Sequence, residues 1–205
     1  MIRIQHRRNT IYELKQTPVD YGVEIDIRNH GNALLVVHDP FSANAIDLSE
    51  WLTHYNHKFL IVNVKEEGLE PKLLSLLRQF KICDFFILDE TIPYIRKYAR
   101  EGVSNFALRV SEFESIETAL KLNTHLNSEG HQIEWIWVDS FTGNPLSAQN
   151  LTRLRIAGFK LCQVSPELHH VNDPKSWEAR ISAFQASCGE SYTPDMVCTK
   201  RPDLW

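Results

Sequence analysis

Along this chain, short apolar runs alternate with longer amphipathic stretches. The runs are RIQH (3–6), GVEIDI (22–27), KFLIVNVK (58–65), DFFILD (84–89), NFALRV (105–110), EWIWVD (134–139), FKLCQVS (159–165) and DMVCTK (195–200). They are short, rich in β-branched and aromatic residues, and bounded by polar or Gly-containing segments, so they predict strands. The stretches between them carry helical signals. DLSEWLTHYNH opens on an Asp at an N-cap position, PKLLSLLRQF has Pro at its start, and IPYIRKYAREG ends in Gly. SIETALKLNTHLNSEG, PLSAQNLTRLRIAG and DPKSWEARISAFQAS follow the same pattern. The first connection, IYELKQTP, offers only a turn or two of helix. RNHGNALLVVHD adds a turn at His30–Asn32 and an extra strand-like run at Ala33–Val37.

Strands alternating with helices predict a parallel sheet with right-handed crossovers. Eight such units close a (β/α)₈ TIM barrel more naturally than they extend an open sheet. No Gly-rich phosphate loop follows the first strand, as an open dinucleotide-binding sheet would require. No linker or low-complexity stretch interrupts the pattern, so residues 1–205 are expected to form one α/β domain. At 205 residues the barrel would be near minimal, since such barrels usually run to ~250.

Composition narrows the partners. A net charge of −4 gives no basic excess for a nucleic acid, although a small phosphorylated ligand needs only a few local cations. The start, MIRIQHRRNT, lacks a signal-peptide pattern, and no apolar run reaches the ~18 residues of a membrane helix. A cytoplasmic protein is expected. Cys83, Cys162, Cys188 and Cys198 lack CxxC spacing and are expected to be buried, reduced thiols. Composition leaves the oligomeric state open.

In such a barrel the C-terminal strand ends line the active-site mouth. Here many of them are polar: His6 and Arg7, Glu24 and Asp26, His38 and Asp39, Asn63 and Lys65, then Asp89, Arg109, Asp139, Ser165 and Lys200. Glu24 and Asp26 share a face, as do Asn63 and Lys65, because alternate strand residues point the same way. Charged groups converging on a mouth are costly unless paired, hydrogen-bonded or metal-bound. Glu24, Asp26 and Asn63 make an oxygen-rich pocket of the kind Mg²⁺ or Ca²⁺ prefers. His6 and His38 could supply a base and an acid, and Arg7 and Lys65 could hold a phosphate. The same carboxylates could instead pair with Arg7 and Lys65 in a metal-free ion network. Asp89, Arg109 and Asp139 could equally satisfy one another. His169 and His170 read as solvated loop residues, and Trp135 and Trp137 as core filling.

The residues His6-Arg7, Glu24-Ile25-Asp26 and Val37-His38-Asp39, followed by Asn63-Val64-Lys65 and Thr199-Lys200-Arg201-Pro202-Asp203, resemble the ordered motifs of glycerophosphodiester phosphodiesterases. The order runs through the whole chain, with the matches concentrated in its first third. The resemblance implies a TIM barrel that cleaves a small-molecule phosphodiester bearing a neighbouring hydroxyl. That hydroxyl would attack phosphorus, an alcohol would leave, and a cyclic phosphate would form. It implies His6 and His38 as the acid/base pair, with a divalent cation on Glu24, Asp26 and Asn63 and the phosphate on Arg7 and Lys65. Asp89, Arg109, Asp139 and Lys200 would be further mouth residues. Three departures stand out: Arg8 where the family usually has Gly, Asn63 for an expected Glu, and Lys200 for an acidic residue. The family's usual insertion after His38-Asp39 is also missing, with only PFSANAI (40–46) before the next helix. Other readings are a non-catalytic sugar-phosphate or phosphodiester binding module, favoured by Asn63 and Lys200, and a lyase or isomerase with Lys65 as a Schiff-base former.

Overall fold

The apolar runs pair as one twisted sheet. In a computed structural model, which describes residues 1–42, 45–189 and 192–205, the strands are β1 (Ile2–Gln5), β2 (Gly22–His30), β3 (Ala33–Val36), β4 (Ile46–Asp47), β5 (Leu60–Val64), β6 (Phe85–Leu88), β7 (Ala107–Val110), β8 (Trp135–Val138), β9 (Lys160–Val164) and β10 (Met196–Thr199). β1, β2, β5, β6, β7, β8, β9 and β10 are parallel and match the eight predicted runs. β1 lies between β2 and β10, and β2 continues to β5 and β6. On the other side β10 continues through β9 and β8 to β7. β6 and the segment before β7 meet through one parallel bridge, Ile87 to Phe106.

The extra run is an antiparallel excursion. β2 turns at Gly31 (φ 57°) and returns as β3, which pairs with β4. Positions 43 and 44 of the short PFSANAI connection lie outside the described residues.

The crossovers are helical: α1 (Ile11–Gln16), α2 (Leu48–Leu52), α3 (Glu70–Gln79), α4 (Ile92–Arg100), α5 (Ile116–Ser128), α6 (Ala148–Ile156) and α7 (Trp177–Cys188). The weak first unit forms its helix because Thr10 and Glu13 make a reciprocal capping box. Asp47 caps α2 as expected, its carboxylate accepting from Ser49 N at 2.7 Å. Helix α2 stops at Leu52, earlier than the DLSEWLTHYNH pattern suggests.

Strand alternation sorts two apolar layers. Ile25, Val62, Ile87 and Ile136 face the helices, against residues such as Leu14, Leu73, Ile95 and Leu122. Ile4, Ile61, Phe86, Trp135, Trp137, Cys162, Met196 and Cys198 form the inner layer. Trp135 and Trp137 are core residues, as predicted. Phe59, Phe86 and Trp135 interlock there with ring centroids 5.4–5.6 Å apart. Gly22 is the residue this layer requires: a Cβ would stand 2.3 Å from Ile4 Cδ1 and 2.9 Å from Phe59 O.

The cysteine expectation is corrected in part. Cys162 and Cys198 are buried thiols and Cys188 is half-buried, but Cys83 is exposed. It falls in the connection before β6, which starts at Phe85 rather than Asp84. No described helix is long and apolar enough to cross a membrane.

Candidate active site

On strand after strand the inner column changes from apolar to polar towards the C-terminal end: Ile4 then His6, Gly22 then Glu24 and Asp26, Ile61 then Asn63, Ala107 then Arg109, Trp137 then Asp139. The apolar residues of these columns form one cluster, and the polar ones follow them at the C-terminal ends.

Glu24 and Asp26 are both 1% exposed. Arg7 N donates to Glu24 Oε2 at 2.8 Å, and His6 Nε2 lies 3.8 Å from the same oxygen. This backbone contact depends on a left-handed Arg7 (φ 51°), which costs a non-Gly residue about 1 kcal/mol. The left-handed residue is Arg7 and not its neighbour Arg8. Asp26 accepts from Asn9 Nδ2 at 2.9 Å, while Asp26 N donates to Asn9 Oδ1 at 3.0 Å. Arg7 Nε is 3.5 Å from Asp26 Oδ2, and Lys65 Nζ is 2.9 Å from Oδ1 without a well-directed hydrogen bond. Both expected phosphate ligands thus pair with Asp26, which is the ion network left open by the sequence.

Asn63 stands opposite Asp26 in the β2–β5 register. Its Oδ1 and Glu24 Oε1 are buried without a hydrogen-bond partner. Burial, then the neighbouring Asp26, raises the Glu24 carboxyl to about 8. The two partnerless oxygens suit a hard cation completed by water or substrate. Among the described residues no three His, Cys, Asp or Glu side chains group as a metal cage. The expected ligand set of Glu24, Asp26 and Asn63 fits Mg²⁺ or Ca²⁺ with the Asn63 amide as third ligand and exogenous oxygens completing the shell.

His6 is half-buried, with its Nδ1 enclosed and without a partner. Burial, then the Arg7, Lys200, Arg8 and Lys65 charges, holds its pKa well below the ordinary histidine range, so it is neutral at pH 7. His38 is more open, with its Nδ1 2.7 Å from Asp39 Oδ1. Its chain is tied to the site by Val37 N donating to Asp26 O at 2.9 Å. No ion pair joins His38 to His6, Glu24 or Asp26 among the described residues.

The further mouth residues form a chain of pairs. Lys65 Nζ is 4.0 Å from Asp89 Oδ2, Arg109 bridges Asp89 and Asp139, and Asp139 Oδ1 is 2.6 Å from His169 Nε2. Strict alternation would turn Asp89 outward beside Ile87, but a left-handed backbone (φ 61°) brings it to Arg109. His169 corrects the solvated reading. It follows β9 in a short 3-10 turn, Pro166–His169, and packs 4.5 Å from the Phe141 ring. Its acid partner, Asp139, lies 30 residues away in the chain and leaves no local sequence signal, so His169 was not legible; neither was Asn9, whose Asp26 contact spans 17 residues. Ser165 does not join the mouth. It donates to the buried Glu167, which also accepts from Thr199 Oγ1 at 2.5 Å and Lys200 N at 2.9 Å.

The sequence matches no protein-family model and no curated protein sequence. The fold is matched by solved structures. A provisionally named glycerophosphoryl diester phosphodiesterase from Agrobacterium tumefaciens C58 aligns over 100% of this chain and 95% of its own, at 14% identity and TM-score 0.67. A glycerophosphodiester phosphodiesterase from the same organism aligns over 100% and 99%, at 16% identity and TM-score 0.63. A provisionally named relative from Silicibacter pomeroyi aligns over 99% and 91%, at 11% identity and TM-score 0.62. At these identities the likeness is one of fold, and the fold of this chain is that of the glycerophosphodiester phosphodiesterases.

Proposed function

We propose that this chain is a phosphodiester hydrolase acting on a substrate with a hydroxyl beside the phosphate, and that its sheet closes as a (β/α)₈ barrel through the Ile87–Phe106 bridge. The observation that carries the reading is His6: a half-buried imidazole 3.8 Å from one of two buried carboxylates at the strand ends, with burial and then Arg7, Lys200, Arg8 and Lys65 around it favouring its neutral form.

A neutral imidazole suits the general base. His6 takes the proton of the attacking hydroxyl as its oxygen bonds to phosphorus. The bond from phosphorus to the second alcohol breaks, and His38, oriented through Nδ1 by Asp39, gives that alcohol a proton. A cyclic phosphate results, which water can open with the two roles exchanged. Arg7 and Lys65 contact the phosphate oxygens once these compete with Asp26. Glu24, Asp26 and Asn63 would hold Mg²⁺ or Ca²⁺, which when bound neutralises charge on the phosphate.

The test is hydrolysis of a panel from bis(p-nitrophenyl) phosphate to glycerophosphodiesters, with Mg²⁺, with Ca²⁺ and with EDTA. Metal-dependent turnover that falls roughly 10²-fold or more in both His6→Ala and His38→Ala is expected. The second reading is a binding module, favoured by the engagement of Asp26 with Asn9, Arg7 and Lys65. Folded protein that binds the diesters but hydrolyses none would establish it instead.

A further inference from the structure

Two of the departures from the family pattern, Arg8 and Lys200, meet in space. β1 and β10 pair with Gln5 opposite Thr199, and His6 N donates to Thr199 O at 3.1 Å. Lys200 therefore emerges beside His6 and Arg7. Arg8 is pinned by its backbone: its N donates to Glu24 O at 2.8 Å, and its O accepts from Trp51 Nε1 at 3.0 Å. The Arg8 side chain is half-buried, with Nε enclosed and unpartnered.

Neither Arg8 nor Lys200 forms an ion pair among the described residues, whereas Arg7, Lys65 and Arg109 all do. None of the nearby carboxylates pairs with either cation among the described residues. Glu13 closes the capping box on Thr10, Glu24 accepts Arg7 N, and Glu167 accepts Thr199 Oγ1 and Lys200 N. Burial, then Arg7 and Arg8, pushes the Lys200 ammonium below its ordinary range, and burial does the same to Arg8. Lys200 Nζ has the Trp177 ring 5.9 Å away, a weak substitute for a counter-ion. Half-buried cations without a partner leave charge uncompensated until an anion reaches them.

We infer that Arg8 and Lys200, with Arg7 between them and the catalytic face, form a second anion subsite for a further acidic group of the substrate, a phosphomonoester or a carboxylate beside the scissile diester. The inference rests on the phosphodiesterase reading of the mouth. A guanidinium gives directed paired donors and an ammonium a point charge, a combination suited to a compact oxyanion.

The experiment compares kcat/KM for three glycerol phosphodiesters whose second alcohol is ethanol, phosphorylated ethylene glycol or glycolate. Wild-type protein should favour an acidic diester over the ethyl one by roughly ten-fold. The order of the two acidic diesters identifies the group. Lys200→Gln and Arg8→Gln should erase the margin, and Lys200→Arg should keep it. Lys200→Gln decides alone if the half-buried Arg8 variant fails to fold. Absence of the margin in wild-type protein, or its survival in Lys200→Gln, overturns the subsite. If no diester is hydrolysed, calorimetric affinities for the same compounds replace kcat/KM. A margin in binding lost in Lys200→Gln would keep the subsite while the hydrolase reading fails, and equal affinities would overturn it.

Discussion

At the scale of single residues, the candidate site is governed by what each buried polar group lacks. Glu24 Oε1 and Asn63 Oδ1 lack partners, and Asp26 has several. If a cation belongs on this face, Asn63→Glu should tighten it by restoring a charged ligand. The expected result is a less stable protein in EDTA, from a third buried carboxylate, and a larger rise in Tm on adding Mg²⁺ or Ca²⁺. A Tm rise no larger than that of the wild type would remove Asn63 from the ligand set. His169 and Asp89 make a related point. Their roles come from a short turn and from a left-handed backbone, and each places a side chain where strand alternation alone would not.

At the scale of elements, two local features hold β1 and β2 in position beneath the site. The capping box of Thr10 and Glu13 starts α1 just after His6, Arg7 and Arg8. Thr10→Ala should cost about 1 kcal/mol in urea unfolding. Glu13→Gln should cost less, because an amide can still reach the Thr10 N–H. Gly22 lets β2 pass close to Ile4 and Phe59. Gly22→Ala should destabilise by roughly 1–3 kcal/mol, since one clash is with a backbone carbonyl that cannot rotate away. A neutral Gly22→Ala would mean that the inner layer is looser than its contacts indicate.

At the scale of the whole molecule, stability should depend on pH through buried acids. Burial, then the hydrogen bond and repulsion from Glu70, raises the Glu90 carboxyl to about 8. Glu70 itself is fully buried at the start of α3. Between the ordinary carboxylate range, ~4.3, and about 8, the folded chain keeps a proton that the unfolded chain has lost. The folded state then binds more protons, so stability falls as pH rises through this window. Glu24 acts in the same direction when no cation is bound. Thermal melts from pH 5 to pH 9 should show the decline, and Glu90→Gln should flatten part of it. An unchanged slope in that variant would show that Glu90 does not hold the proton.

Strand and helix order is legible in the chain, because alternation of two and of 3.6 residues is written in apolar spacing. So is the identity of the polar residues at the strand ends: His6, Glu24, Asp26, Asn63, Arg109 and Asp139 all crown the inner columns. Their partners came from the fold. The pairing of Arg7 and Lys65 with Asp26, the Asn9 clamp, the Asp139–His169 pair and the meeting of Arg8 with Lys200 join residues far apart in the chain. Such contacts depend on strand register and on backbone dihedrals at Arg7 and Asp89, and neither leaves a periodic trace in the sequence.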